Sequence, residues 1–451
     1  MSSSINIGRL IILGLFSLGC LWAVIKFTYT GIQKMYYIFS IVGIVIYSGI
    51  STTYNNLCDE YFFSYLIFHA CYTAAMIFAI RIHLVIKKRR LLLVYRVKEY
   101  ERSLYLKQSI SSEKLISDRV LKVCVLLFFS YYFIQLIYPE FRLSDLFRIG
   151  LSIDDIFSRR SDLRGNLIYQ LFYYVNLFTV AFLFIFAYRK YRQKKCAAVI
   201  ILFLLWYYLQ MVTLGYMSRN EMLIVIAFIV ILFDNRKWAE LKITPRLVIT
   251  GLVIAILMLP FLNAYELLRM GISARRSDVW NALGELLEKE TTYGRYYDFC
   301  ASNSEEILIL RYLVWFITLP LPSVIFGSIK EFGLSTNTYF TVLYTGVQEG
   351  ASNYSVILPS IFGESLMIWG RNAYWVEALL VGFFVGKFCV CMERNEELSL
   401  LNVYFAVNMF IMGRGGSEAV IANMVNYMVM YLIIMKLIVK KKRRNVRHLA
   451  Q

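Results

Sequence analysis

Apolar runs of roughly 20 residues, the length a helix needs to cross a bilayer, recur along nearly the whole of this 451-residue chain. A soluble chain of this size would keep a charged exterior, yet 59% of the residues are hydrophobic and only 17% are charged. The surface these runs present must therefore face lipid. Aromatic rings, 34 Tyr and 33 Phe, gather at the ends of many runs, where amphipathic side chains prefer the headgroup layer.

Spans are predicted near 8–28, 35–54, 61–86, 119–138, 166–188, 196–216, 220–234, 247–266, 373–392, 399–413 and 417–439. The stretches 306–327 and 354–370 are broken by Arg311, Pro320, Pro322, Pro359 and Glu364, so they are either two further spans or re-entrant segments. The expected fold is all-α: a polytopic transmembrane helix bundle of about 11–13 spans with long extracytoplasmic loops, forming one integral membrane domain.

A formal net charge of +18 raises the question of nucleic acid, but the basic residues stand in short clusters beside spans. Lys87-Lys88-Arg89-Arg90 opens a basic loop over 87–118, and the tail 440–451 carries Lys440-Lys441-Lys442-Arg443-Arg444. The positive-inside rule places both in the cytoplasm, and by alternation the basic loops 189–195 and 235–246 fall on the same side. The segments 139–165 and 267–372 are then extracytoplasmic, and within 264–290 Val279, Trp280, Leu283, Leu286 and Leu287 repeat at helical spacing, as in a helix lying on a surface.

Eight cysteines are scattered, six within apolar runs, where they read as small buried hydrophobes. Cys58 and Cys300 fall in predicted outer loops, so a disulfide between them is conceivable. The run after Arg9 has no cleavage pattern behind it and reads as a retained span. No internal repeat of the kind that builds many secondary transporters is visible.

No phosphate-binding glycine loop, His-Glu-x-x-His, Cys-x-x-Cys or nucleophile elbow occurs, and nothing in the residues calls for a metal or a cofactor. Histidine is nearly absent, and the one that could serve as an outer base, His69, lies deep in a predicted span. The chemistry left on the outer side is Arg, Glu, Asp and Tyr. Arginine is enriched there against the positive-inside trend: Arg219, Arg275, Arg276, Arg295, Arg311, Arg371 and Arg414 among others. A guanidinium fork suits pyrophosphate and carboxylate, although outer acids such as Asp145, Asp154 and Asp278 could pair with these arginines instead.

Three places rise above that background. Ser218-Arg219-Asn220-Glu221 makes a tight outer turn that holds Arg219 at the membrane boundary. Gly413-Arg414-Gly415-Gly416-Ser417 makes another, either a plain glycine turn or one where backbone approaches a ligand. In the third, the ionisable residues Arg311 and Glu364 stand at membrane depth, with Glu377 just inside the next span. A carboxylate there can act as a general base on a sugar hydroxyl, tuned by burial and a nearby arginine; the alternative is a structural Arg311–Glu364 pair.

This ordered set resembles the oligosaccharide repeat-unit polymerases, the O-antigen polymerase (Wzy-type) family, over the hydropathy profile and over 306–417 in particular. A Pro-rich turn with a basic residue downstream resembles Pro320, Pro322 and Lys330; a Pro-x-x-x-Gly-Glu element resembles Pro359, Gly363 and Glu364. Gly370, then Gly382 and Gly386, and an Arg-Gly pair at Arg414 and Gly415 complete it, whereas Pro320-Leu321 stands where many relatives carry Pro-Arg. The resemblance implies glycosyl transfer at the outer face of the bacterial inner membrane, from undecaprenyl-pyrophosphate-linked oligosaccharide, building O-antigen, capsule or exopolysaccharide. Glu364, Arg414 and Arg219 are then the expected catalytic residues, with Arg275, Arg276, Arg295, Arg311, Lys330 and Arg371 binding substrate. The partners implied are the lipid-linked oligosaccharide, the bilayer, a chain-length regulator and a flippase, with no nucleic acid. The Tyr-rich stretches Tyr293 to Tyr297 and Tyr339 to Tyr354 suit stacking on sugar rings or an interfacial belt equally. Competing readings are a polysaccharide ligase, favoured by an outer-loop histidine that this chain lacks, and a lipid-linked oligosaccharide flippase.

Overall fold

In hydrocarbon every backbone N–H and C=O has to be satisfied within its own segment, so the apolar runs become helices. The computed structural model describes residues 5–55, 57–98, 116–137, 167–214, 293–321, 323–348 and 356–449. Among these no strand forms; one isolated bridge joins Ile5 to Tyr54. The helices are α1 (Ile7–Phe27), α2 (Gly31–Ile44, prolonged by a π turn to Gly49 and a 3-10 turn to Thr53), α3 (Asp59–Lys98), α4 (Asp118–Ile137), α5 (Leu167–Arg192) and α6 (Cys196–Leu214). They continue as α7 (Tyr293–Ser302), α8 (Glu306–Thr318), α9 (Ser323–Phe332), α10 (Thr336–Thr345), α11 (Ser360–Met392), α12 (Ser399–Gly415) and α13 (Glu418–Leu449).

Six of these segments are long and apolar enough to cross a membrane: Ile7–Phe27, Gly31–Thr53, Asp59–Ile82, Leu167–Arg192, Ser360–Met392 and Glu418–Leu437. The chain is a helical membrane protein. Helices α4, α6 and α12 stand where spans are expected, and the predicted spans 220–234 and 247–266 lie outside the described residues, as do the segment 139–165 and the amphipathic stretch within 264–290. Helix α3 runs on to Lys98 and α13 to Leu449, so both basic segments begin as helix rather than as loop.

Small residues bring two helix pairs into backbone contact. On α11, Gly382 and Gly386 abut the backbone of Tyr72 and Met76 on α3, with Ala75 and Ala79 beside them. Likewise Gly43 of α2 packs against the Phe410 backbone of α12, and Gly413 against Gly43. The glycines of the 373–392 span are thus packing devices. Helix α1 lies at the edge, burying Leu13 and Val24 while Ile11, Leu15, Leu18 and Trp22 face outward.

The two broken stretches are helical hairpins. In a straight helix Phe362 and Tyr374 would stand about 18 Å apart, yet their ring centroids are 5.9 Å apart. The chain turns back at Gly370, whose φ of 72° favours glycine, and lays a short arm, 360–369, against the long arm, 371–392. Ten residues reach about 15 Å, half the hydrocarbon thickness, so the short arm alone is too short to span. In the 306–327 region α9 folds back on α8: the Leu334 amide donates to the Arg311 carbonyl (3.2 Å), and Gly333 sits on the Trp315 backbone.

Candidate functional site

The fold-back at Gly370 brings Glu364 on the short arm beside Glu377 on the long arm, thirteen residues apart in sequence. Glu418, at the start of α13, completes a set of three carboxyls that are 1%, 2% and 6% exposed. Each has a different environment.

Glu418 is satisfied. It accepts from the Ser335 hydroxyl (2.7 Å) and from the Thr336 and Asn337 amides at the start of α10, while Asn337 Nδ2 donates to the Gly415 carbonyl (2.8 Å). A negative charge at a helix N-terminus is in its favoured place, so Glu418 ties α10 to the α12–α13 turn. Glu364 is held differently: Ser417 donates to it twice, from its backbone N–H (2.5 Å to Oε2) and from its hydroxyl (3.1 Å to Oε1). Ser417 in turn hydrogen-bonds to the Tyr312 hydroxyl of α8. Gly416 precedes it with φ 73°, and a Cβ added there would collide with the Glu364 carboxyl, so this position excludes any side chain on two grounds. Glu377 has no such support. Its carboxyl faces Glu364 and the indole Nε1 of Trp369, with no bond of ideal geometry to either.

The alternative, a structural pair of Glu364 with Arg311, does not form. Helix α9 folds back so that Arg311 Nε donates to the Phe332 carbonyl (3.1 Å), capping the end of that helix, and the charged neighbours of Glu364 are the other two glutamates. Arg414 stands exposed on the last turn of α12, three residues before Ser417, which supplies the hydrogen bonds to Glu364. Lys330 bonds to the Tyr174 hydroxyl (3.3 Å) and lies over its ring. Arg219, Arg275 and Arg276 fall outside the described residues.

The remaining two predicted cations share a rim near the Gly370 turn. Arg371 reaches Asp298 Oδ1 (3.5 Å) and lies over the Tyr61 ring, while the Tyr61 hydroxyl donates to the same Asp298 oxygen (2.5 Å). Arg295 is exposed one turn before Asp298 on α7. That helix is anchored by Tyr297, whose hydroxyl meets Ser51 Oγ (2.8 Å) and the Ser48 carbonyl (3.2 Å). Burial pushes the Tyr297 hydroxyl up to about 12, with the Ser51 bond opposing. Along the helix, Glu364 is six residues, about 9 Å, below the turn that carries this rim. On the aromatic stretches, Tyr344 is exposed at the edge of a cluster with Tyr296, Phe299 and Phe340.

All eight cysteines are free thiols; Cys58 is exposed and Cys300 buried, so the conceivable disulfide is not formed. Among the described residues no group of His, Cys, Asp and Glu is arranged to hold a metal. Sequence reasoning found Glu364, Glu377 and the Gly416-Ser417 turn but missed Glu418 and Tyr312. An acid directly after Ser417 reads as an ordinary first-turn residue of α13, and a tyrosine in an apolar helix reads as core.

No protein-family model, no curated protein and no solved structure matches this chain.

Proposed function

We propose that the chain is a membrane glycosyltransferase that joins undecaprenyl-pyrophosphate-linked oligosaccharide repeat units into a surface polysaccharide at the outer face of the bacterial cytoplasmic membrane. The observation that carries this reading is Glu364: a buried carboxyl within an apolar hairpin, fixed by Ser417 between two chain reversals, about 9 Å below a rim that presents Arg371 and Arg295. Ionisable residues are costly in such a place and mark function by default.

In this reaction Glu364 takes the proton of the acceptor sugar hydroxyl as its oxygen bonds to the anomeric carbon of the donor. The bond from that carbon to the pyrophosphate oxygen breaks, and its electron pair leaves with the lipid pyrophosphate. Cationic groups at the rim stabilise the charge that develops there. Ser417 and Tyr312 act as positioning residues: they hold the base and touch no reacting atom. Because Glu364 is 1% exposed beneath the Gly416–Ser417 turn, the acceptor hydroxyl reaches it only when that turn moves aside.

The test is the length distribution of lipid-linked and surface glycan in cells lacking the chain, complemented with wild type or with Glu364→Gln at equal membrane levels. Single repeat units outside the membrane and no longer polymer, restored by wild type and not by the variant, support the reading. Full-length polymer retained on the lipid carrier points to a ligase, and single units trapped on the cytoplasmic side point to a flippase; either outcome sinks it.

A further inference from the structure

A second polar region lies in the core of the N-terminal helices and plays no part in the chemistry above. Helix α3 carries Tyr65, His69 and Tyr72 at i, i+4 and i+7, hence on one face. All three are fully buried. Neither hydroxyl and neither imidazole nitrogen has a hydrogen-bond partner among the described residues, and the same holds for Ser17 Oγ on α1. His69 is walled by rings, with Phe16 at 5.5 Å and Tyr65 at 6.0 Å between centroids. The Tyr72 hydroxyl approaches Ser40 without reaching hydrogen-bond geometry.

Three of these side chains follow one another along one face of α3. At one end the Tyr65 hydroxyl lies against Gly49, in the π turn of α2, where any side chain would displace it. One residue away begins the bonded set Ser48–Ser360 and Ser51–Tyr297. At the other end the Tyr37 hydroxyl bonds to Thr73 Oγ1 (2.9 Å). A buried polar group left unpaired costs about 1–3 kcal/mol, and native proteins leave few of them. Unpartnered atoms on three side chains of one helix face therefore point to an occupant that supplies hydrogen bonds. Between Tyr61 and Ile80 helix α3 has no charged residue, so the occupant is neutral. It is also small, donates and accepts, and fits among rings.

We propose that the Tyr65–His69–Tyr72 face of α3 is a binding site for a short file of ordered water molecules inside the membrane core, walled by α1 and α2. Each water bridges two to four polar atoms, as buried waters typically do. The inference stands apart from the glycosyltransferase reading.

The test uses the full-length protein in lipid nanodiscs, labelled by X-ray radiolysis of water enriched in oxygen-18. Radicals born from bound water oxidise their immediate neighbours even where bulk solvent has no access. Tyr65, His69 and Tyr72 are expected to take label several-fold above Phe128 and Phe203, which are equally buried among apolar rings. Labelling no higher than at those two phenylalanines overturns the proposal. A second measurement is independent of labelling chemistry: Tyr65→Phe and Tyr72→Phe are expected to lower Tm by roughly 1–3 °C each as a bond to water is lost. If both variants melt higher, the hydroxyls were unsatisfied in a dry core, and the water file is refuted.

Discussion

The two ends of the helix bundle handle charge differently. At the end where α2 begins and α11 terminates, acids and bases meet one another. Arg189 bonds Glu397 and Asp118 and the Ile116 carbonyl, Arg192 pairs with Glu396, and Glu393 accepts from Thr30 and Gln33. Burial raises Glu393 and those two bonds oppose it, as suits a carboxyl held for structure. At the opposite end Arg9 pairs with Asp59 and Arg371 with Asp298 near the surface, yet below them three buried carboxyls converge with no Arg or Lys among their described hydrogen-bond partners. Matched charge stabilises a fold; on the proposed reading the three buried carboxyls without a cation are kept for a substrate.

Substitution of Glu364 probes that contrast most strongly. On the proposed reading Glu364→Gln preserves shape and removes the base, so polymerisation by the purified protein on a lipid-pyrophosphate repeat unit is expected to fall by about 10²–10⁴-fold. The mirror experiment is Arg189→Ala at the opposite end, which should leave turnover within a factor of two per folded molecule. It should lower stability by about 3–5 kcal/mol, because Arg189 and Glu397 are both largely buried and Glu397 would lose its cation. If instead Arg189→Ala abolishes turnover and Glu364→Gln does not, the assignment of the two ends is reversed.

A smaller effect is expected at the turn. Gly416→Ala puts a methyl group where the Glu364 carboxyl stands and strains a left-handed residue by about 1–2 kcal/mol; turnover should drop about 10–100-fold, with the protein still reaching the membrane. Ser417→Ala keeps the backbone N–H and loses the hydroxyl, removing one charge-assisted bond of about 1.5–3 kcal/mol. If Ser417 positions the base, kcat falls and KM does not, and Ser417→Thr restores it. A parallel fall in expression that Thr also restores, with kcat unchanged, would show the hydroxyl to be structural.

The spans were legible because hydrophobic length is a local property: the expected 8–28 and 166–188 are α1 and α5 within a few residues. Glu364 was legible for the related reason that a charge inside an apolar run stands out. The hairpin at Gly370 was not, because it depends on the sign of one φ angle and on contacts between Phe362, Tyr65 and Tyr374 that no local pattern carries. That also explains the failed Arg311–Glu364 pairing. Two charges in successive apolar stretches look like partners, until α9 folds back and offers Arg311 a helix-end carbonyl at closer range. Lys330, expected at the substrate, lies by Tyr174.

The smallest effect is expected at the rim, and it decides whether Arg371 recognises an anion or only braces α7. Arg371 now divides its guanidinium between Asp298, itself mostly exposed, and the face of Tyr61. An exposed pair of this kind contributes at most about 1 kcal/mol, so a substrate phosphate could replace Asp298 without serious loss. Arg371→Lys keeps the charge and gives up the fork. If Arg371 grips pyrophosphate, KM for the lipid-linked donor should rise about three- to tenfold with kcat nearly unchanged, and Asp298→Asn should lower KM by freeing the arginine. If Arg371 only braces the fold, the two variants should act in the same direction, each loosening α7 and lowering Tm while leaving KM alone.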